Sequence, residues 1–367
     1  PGRAIPEAPR ALSALTPTPG RRPARPIRWP VHLAPHLFFL IPELLIAAGP
    51  LVIGAITDSS GRRRFRMPDF FYGGQALIEG VMMRGRTTVA MSVRPPSGEI
   101  QTISEPLPAA LAADRKLIRI PFLRGMFLLY ETLVIGTRML MRSASIAASE
   151  EEVELGKGAI ALTVLFSLSF AIGLFFLLPL FLSTFAEEAA NSDFIANAVE
   201  GLIRLVIFIA YIAAIGLMPD IKRVFAYHGA EHKAISAYEA DKPLTPDEVD
   251  AFGTAHTRCG TTFILIVVVI SIFFFSLVPR AGVPLPLLFL SRIVLVPFIA
   301  AFAYELVRFG ARHYGSPIVR ALYAPGLWLQ SLTTRPPDRS MLEVSIASLE
   351  SCLASDREAA AAKPAGA

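Results

Sequence analysis

The chain has 367 residues, of which 53% are hydrophobic and 18% charged. A water-soluble domain carries about 25% charged residues, so the apolar surplus here needs a membrane to hide in. Two cysteines exclude a disulfide-stapled secreted fold and 25 phenylalanines exclude a wholly disordered chain, while the net charge of +5 is no nucleic-acid signal, because its sign changes from one connecting segment to the next.

In chain order, residues 1–36 form an Arg/Pro-rich tail that cannot bury a core and is too proline-rich for a signal peptide. Residues 37–57 are apolar but interrupted by Pro42, Glu43 and Pro50, so they either span a membrane or enter and return. The segment 58–157 has mixed character. It opens with GGQALIEGVMMRG, whose glycines break any long helix. A hairpin is expected from 87–94 and 99–104 around Pro95 to Gly98. The stretch 117–141 is apolar but carries Arg119, Arg124, Glu131 and Arg138, which suits a helix lying along or against a membrane rather than crossing it.

Residues 158–307 read as a bundle of four membrane helices over 160–182, 201–218, 261–279 and 283–304, each about the length that a hydrocarbon core demands. Within it, 219–260 is a polar loop; 308–353 forms a C-terminal segment and 354–367 a low-complexity tail. The expected fold is a mainly α, polytopic membrane protein with four core transmembrane helices, a fifth if 37–57 spans, and a small α+β element in the cytoplasm. Orientation follows from lysine and arginine. Fourteen lie in 58–157, five in 219–260 and seven from Arg308 onward, against none in 184–200. The loop 219–260 and the C-terminus are therefore expected in the cytoplasm, with the chain in a bacterial inner membrane.

Three of the six histidines gather in that loop with a cysteine, in YHGAEHK (227–233) and HTRCG (256–260). On a helix, His228 and His232 share a face. The order H-x-x-E-H is that of metallohydrolases in which two histidines hold zinc and the glutamate activates water. A third ligand is needed, and His256, Cys259 and Glu239 are the candidates. The alternative reading has the histidines bonding backbone or carboxylates, with Cys259 a small buried side chain. In the glycine-rich motif, Glu79 or Arg84 is a candidate for the same site and Gln75 for a supporting hydrogen bond, the glycines permitting close backbone approach. Arg292, near the middle of a predicted span, needs a partner such as Glu43 or a polar cavity.

GGQALIEGVMMRG, VRPPSGEI, YHGAEHKAISAYE, HTRCGTTF, YELVRF and LQSLTTRPPD, occurring in that order, resemble the YqhQ-like family of bacterial multi-pass membrane proteins, over roughly residues 70–353. That family has been described as predicted metal-dependent enzymes. The resemblance implies roles for Glu79, Arg84, His228, Glu231, His232, His256 and Cys259. Two positions depart from the expected pattern, where Arg86 and Thr257 replace prolines. Two functions follow as expectations. One is a membrane-embedded hydrolase with zinc as cofactor, Glu231 as general base and no defined substrate. The other is a non-enzymatic assembly, transport or translocation factor, in contact with membrane lipid or other membrane proteins, whose His/Cys loop is a structural clamp.

Overall fold

The computed structural model describes residues 70, 72–108, 120–148, 157–190 and 192–362. The segment 37–57, Glu43 and Arg119 lie outside them. The protein is mainly helical with one small sheet. Strands β1 (Gly73–Leu77), β2 (Gly80–Arg84), β3 (Thr88–Val93) and β4 (Gln101–Pro106) form an antiparallel meander in the order β1-β2-β3-β4. The predicted hairpin is β3–β4, in the register Val93↔Gln101 to Thr88↔Pro106. The glycine-rich motif is a second hairpin, Leu77 facing Gly80 across a turn of Ile78 and Glu79. Glu79 takes a left-handed φ of 52° there, uncommon for a residue with a side chain. Both strands of that hairpin are almost wholly buried, so no apolar/polar alternation betrays them in the sequence.

Helix α1 (Leu123–Ala147) is the predicted non-crossing helix, shifted toward the C-terminus. Its charges are paired: Arg124 with Glu305, Glu131 with Arg84, and Arg138 and Arg142 with Glu105. Next, α2 (Lys157–Ile172), a π-helical turn at Gly173–Leu177 and α3 (Leu178–Ala190) form one continuous run. Helix α4 (Asp193–Ile215) starts well before the predicted residue 201, because the Ser192 hydroxyl caps it by accepting from the Ile195 N–H. After α5 (Pro219–Glu239) and the short α6 (Pro246–Asp250) come α7 (Gly260–Ser276), α8 (Leu285–Arg312), α9 (Pro317–Thr333) and α10 (Arg339–Ala361).

Among the described residues, three helical stretches are long and apolar enough to cross a membrane: Ala161–Ala186, Asp193–Ile215 and Leu285–Gly310. The fourth predicted span, α7, has only 17 helical residues, about 26 Å at 1.5 Å per residue, against a core of about 30 Å. Leu162, Leu165, Phe166 and Phe181 on the first stretch are each more than half exposed. A continuous apolar face of that kind does not face water without a reason.

The described residues form two cores. One joins the sheet to α5, α10 and the C-terminal half of α1, through Leu77, Val81, Met83, Met91, Phe225 and Leu349. The other lies among α4, α7, α8 and α9. Helix α10 continues through 354–361 and packs across the sheet. Its Asp356 receives the β2–β3 turn: Oδ2 accepts from the Arg86 N–H at 2.8 Å and Tyr72 Oη at 2.9 Å, and Oδ1 from the Thr87 N–H at 3.1 Å and Thr87 Oγ1 at 3.0 Å. Proline at position 86 would have no N–H to donate, so this departure from the family pattern carries a hydrogen bond.

Arg292 is fully buried, and its partner among the described residues is Glu200. Glu200 serves three arginines. Its Oε1 lies 2.6 Å from Arg204 Nη2 and 3.2 Å from Arg292 Nε; its Oε2 lies 2.7 Å from Arg292 Nη2 and 3.1 Å from Arg280 Nη1. Asn197 Oδ1 accepts from Arg280 and Arg292, and Ser183 Oγ from Arg280. These bonds tie α3, α4, α8 and the α7–α8 connection at one end of the bundle.

Candidate metal centre

The site forms where three elements meet: α5, the loop that enters α7, and the end of α9. Helix α5 presents His228 and His232 one turn apart, their ring centroids 4.4 Å from each other. Each ring is fixed through Nδ1, that of His228 bonding the Thr333 carbonyl at 2.9 Å and that of His232 the Thr254 carbonyl at 2.6 Å. An Nδ1–H that donates to a backbone carbonyl sets the tautomer and leaves Nε2 with a lone pair, as in metal-binding histidines generally. His228 Nε2 meets Cys259 Sγ at 3.3 Å. Ligand atoms of His228, His232 and Cys259 all lie within 4.8 Å of one another, and all three residues are buried.

Cys259 is the N-cap of α7, its sulfur facing the Thr261 N–H at 3.4 Å. Burial by itself would raise the thiol pKa, but the two imidazoles beside it outweigh burial and hold it well below the ordinary value; a helix N-terminus acts in the same direction. Burial lowers the pKa of His232, which favours the neutral ring. A thiolate and neutral imidazoles are the forms that bind a metal.

Close packing builds this corner. A Cβ on Gly229 would sit 2.2 Å from the Arg335 carbonyl oxygen, so α5 runs directly against the chain leaving α9. Gly74 of β1 is equally constrained, since a Cβ there would lie 2.9 Å from Glu231 Cγ. The Gly74 N–H instead donates to the Glu231 carboxylate. Glu231 is 5% exposed and its Oε2 lies 4.0 Å from His232 Nε2. Burial raises its pKa above the usual carboxylate value, against the opposing pull of His228, His256, the Gly74 amide and Arg258.

The other candidates fall elsewhere. His256 stands behind His232, ring centroids 5.5 Å apart, with its Nε2 3.5 Å from Glu239. Glu239 also pairs with Arg258, so neither joins the His228, His232 and Cys259 group. Glu79 is held two-pronged by Arg223, at 2.7 and 2.6 Å, near the start of α5. Arg84 is likewise paired with Glu131, at 2.6 and 3.2 Å. Gln75 is buried against Gly136, and neither of its amide atoms has a hydrogen-bond partner among the described residues. From the glycine-rich motif it is therefore the backbone of Gly74 that reaches the site.

Several groups that build the site carry no signature of their own. The carbonyls of Thr254 and Thr333 act through backbone, which any residue supplies. Gln330 clamps the His256 loop by donating to the His256 carbonyl at 2.8 Å and accepting its N–H at 2.9 Å. Thr333 and Gln330 do fall within LQSLTTRPPD, one of the motifs that carried the family resemblance.

Among the described residues the chain is mainly helical, with three helices long and apolar enough to cross a membrane and a buried His/His/Cys corner. The family is shown by comparison. Residues 120–355 match the family model described as "Protein of unknown function (DUF1385)", and the chain belongs to that family. It is 34% identical over 296 residues to "Uncharacterized protein YqhQ" of Bacillus subtilis (strain 168), covering 77% of this chain and 92% of that one. No solved structure matches.

Proposed function

We propose that the protein is a multi-pass inner-membrane hydrolase that uses a zinc-class ion, with α2–α3, α4, α7 and α8 crossing the membrane and the site and C-terminus on the cytoplasmic side. The observation that carries the reading is the anchoring of both imidazoles through Nδ1, which leaves the two Nε2 atoms beside Cys259 Sγ. His228, His232 and Cys259 are the residues that would hold the ion. A bound zinc supplies Lewis acidity and an acidified water. Glu231, whose Oε2 lies 4.0 Å from His232 Nε2 and whose pKa is raised by burial, would serve as the general base. The Gly74 N–H orients its carboxylate. Three protein ligands leave a coordination position for water, the arrangement of catalytic sites.

The burial of all three ligands favours a second reading, a structural clamp joining α5 to α7, in which Glu231 closes the coordination shell. The experiment is metal analysis of the purified full chain, followed by cobalt substitution. One ion per chain is expected, lost in His232→Ala and Cys259→Ala and kept in Glu231→Gln, with a cobalt spectrum of three protein ligands plus water. A four-ligand spectrum that changes in Glu231→Gln would select the clamp. Protein free of metal after growth and reconstitution with zinc would end both.

A further inference from the structure

Away from the His/Cys corner, a cavity of about 560 Å³ opens among α1, α2, α4, α7, α8 and the π-helical turn, within the range of about 300–1,000 Å³ typical of small-molecule pockets. Its wall is almost entirely aliphatic and aromatic, from residues such as Leu133, Phe175, Phe208, Val267 and Ile293. Two polar residues in that wall have unmet hydrogen-bonding capacity. Arg204 is 4% exposed and Ser167 is 2% exposed; Arg204 Nη1 and Ser167 Oγ have no hydrogen-bond partner among the described residues.

The rest of the Arg204 guanidinium is held firmly. Nη2 binds Glu200, Nε donates to the Phe175 carbonyl at 2.8 Å, and the group lies over the rings of Phe176 and Phe275. Phe175 belongs to the π-helical turn, a local widening that recurs at functional sites. Unmet donors are costly in an apolar setting, and a charged side chain at membrane depth usually serves a ligand or a pathway. Two nitrogens of this guanidinium are fixed by protein while Nη1 is left without a partner in the wall of a space that suits hydrocarbon.

The geometry points to a binding site for an anionic amphiphile, a single long hydrocarbon chain ending in a carboxylate or phosphate monoester, with the anion on Arg204 Nη1 and the chain in the cavity. The charge of Arg204 selects the anion, and the apolar wall selects the chain. The site is independent of any metal at His228.

The test is photo-crosslinking of the purified full chain, in an uncharged detergent, with a palmitate analogue bearing a diazirine near its chain end. The expected result is labelling of peptides from 164–176 and 263–271, competed by oleate or by oleyl phosphate but at least tenfold less well by oleyl alcohol. The stronger of the two anionic competitors identifies the headgroup. Arg204→Gln should weaken labelling at least tenfold. Because Arg204 also supports Glu200, Ala300→Phe serves as a second variant, filling the cavity wall while leaving Arg204 in place; it should remove competable labelling. Equal competition by oleyl alcohol, or labelling spread evenly over lipid-facing helices and unchanged in Ala300→Phe, would overturn the proposal.

Discussion

Replacing Glu200 by glutamine tests whether the bundle depends on one carboxylate. Three fully or almost fully buried arginines, Arg204, Arg280 and Arg292, lean on it with four contacts of 2.6 to 3.2 Å. At such separations a unit-charge pair is worth about 5 kcal/mol at an effective dielectric of 20, before desolvation is counted. The folded protein has already incurred that desolvation, so neutralising Glu200 removes the carboxylate that the buried cations share and leaves among their contacts the neutral groups Asn197, Ser183, Ser291 and the Phe175 carbonyl. Breaking a buried pair this way costs about 3–5 kcal/mol, a large share of the roughly 5–15 kcal/mol that holds a folded domain together. Glutamine keeps one acceptor oxygen but turns an amide donor toward a guanidinium. Thermal unfolding of the purified protein in detergent should show a midpoint lower by about 6–20 °C. Combining Glu200→Gln with Arg292→Met removes one of the stranded charges and should recover part of the loss, a coupling measurable by a double-mutant cycle. A midpoint within about 2 °C of the parent for Glu200→Gln would refute the reasoning, since 2 °C corresponds to less than about 1 kcal/mol.

Other consequences are open to measurement. Asp356→Ala removes three hydrogen bonds from the β2–β3 turn and one from Tyr72, and with charged acceptors worth about 1.5–3 kcal/mol each but not additive, a loss of about 3 kcal/mol is expected. Faster hydrogen exchange at the Arg86 and Thr87 amides would report it, and unchanged protection would count against the turn's dependence on α10. Cys352 is pushed up by burial to about 12 from the ordinary thiol value of 9.0, so between those values the unfolded chain loses a proton that the folded chain retains. Its contribution to stability is whole below pH 9 and falls as pH rises, by about 1.4 kcal/mol per pH unit at most; Cys352→Ser should flatten that part of the profile. The exposed pair Arg339–Asp247 should behave oppositely to Glu200, with Asp247→Asn leaving the unfolding midpoint unchanged. Asp247→Cys, with the two native cysteines buried, should resist an impermeant thiol reagent on intact cells and react after lysis; ready labelling of intact cells would reverse the proposed orientation.

The sequence by itself determined what depends on local composition and periodicity. Apolar runs of about twenty residues marked the long helices, although not their ends, because a cap such as Ser192 or a π-helical turn at Gly173–Leu177 leaves little trace in hydropathy. The β3–β4 hairpin was readable because β4 is an exposed edge and its turn carries Pro-Pro-Ser-Gly. The β1–β2 hairpin was not, since burial on both faces removes the alternation that marks a strand. The pairing of His228 with His232 followed from helical spacing alone. Choosing among their third partners did not, because Cys259 and His256 are separated by only two residues between them and only packing decides which side chain turns inward. The tertiary structure put Cys259 at the head of α7 against His228, and sent His256 to Glu239. It likewise gave Arg292 a carboxylate from 92 positions away and brought the backbone of Gly74, rather than Glu79 or Arg84, to Glu231. Those contacts depend on chain crossings far apart in sequence and on backbone groups common to every residue, so no residue pattern can encode them locally.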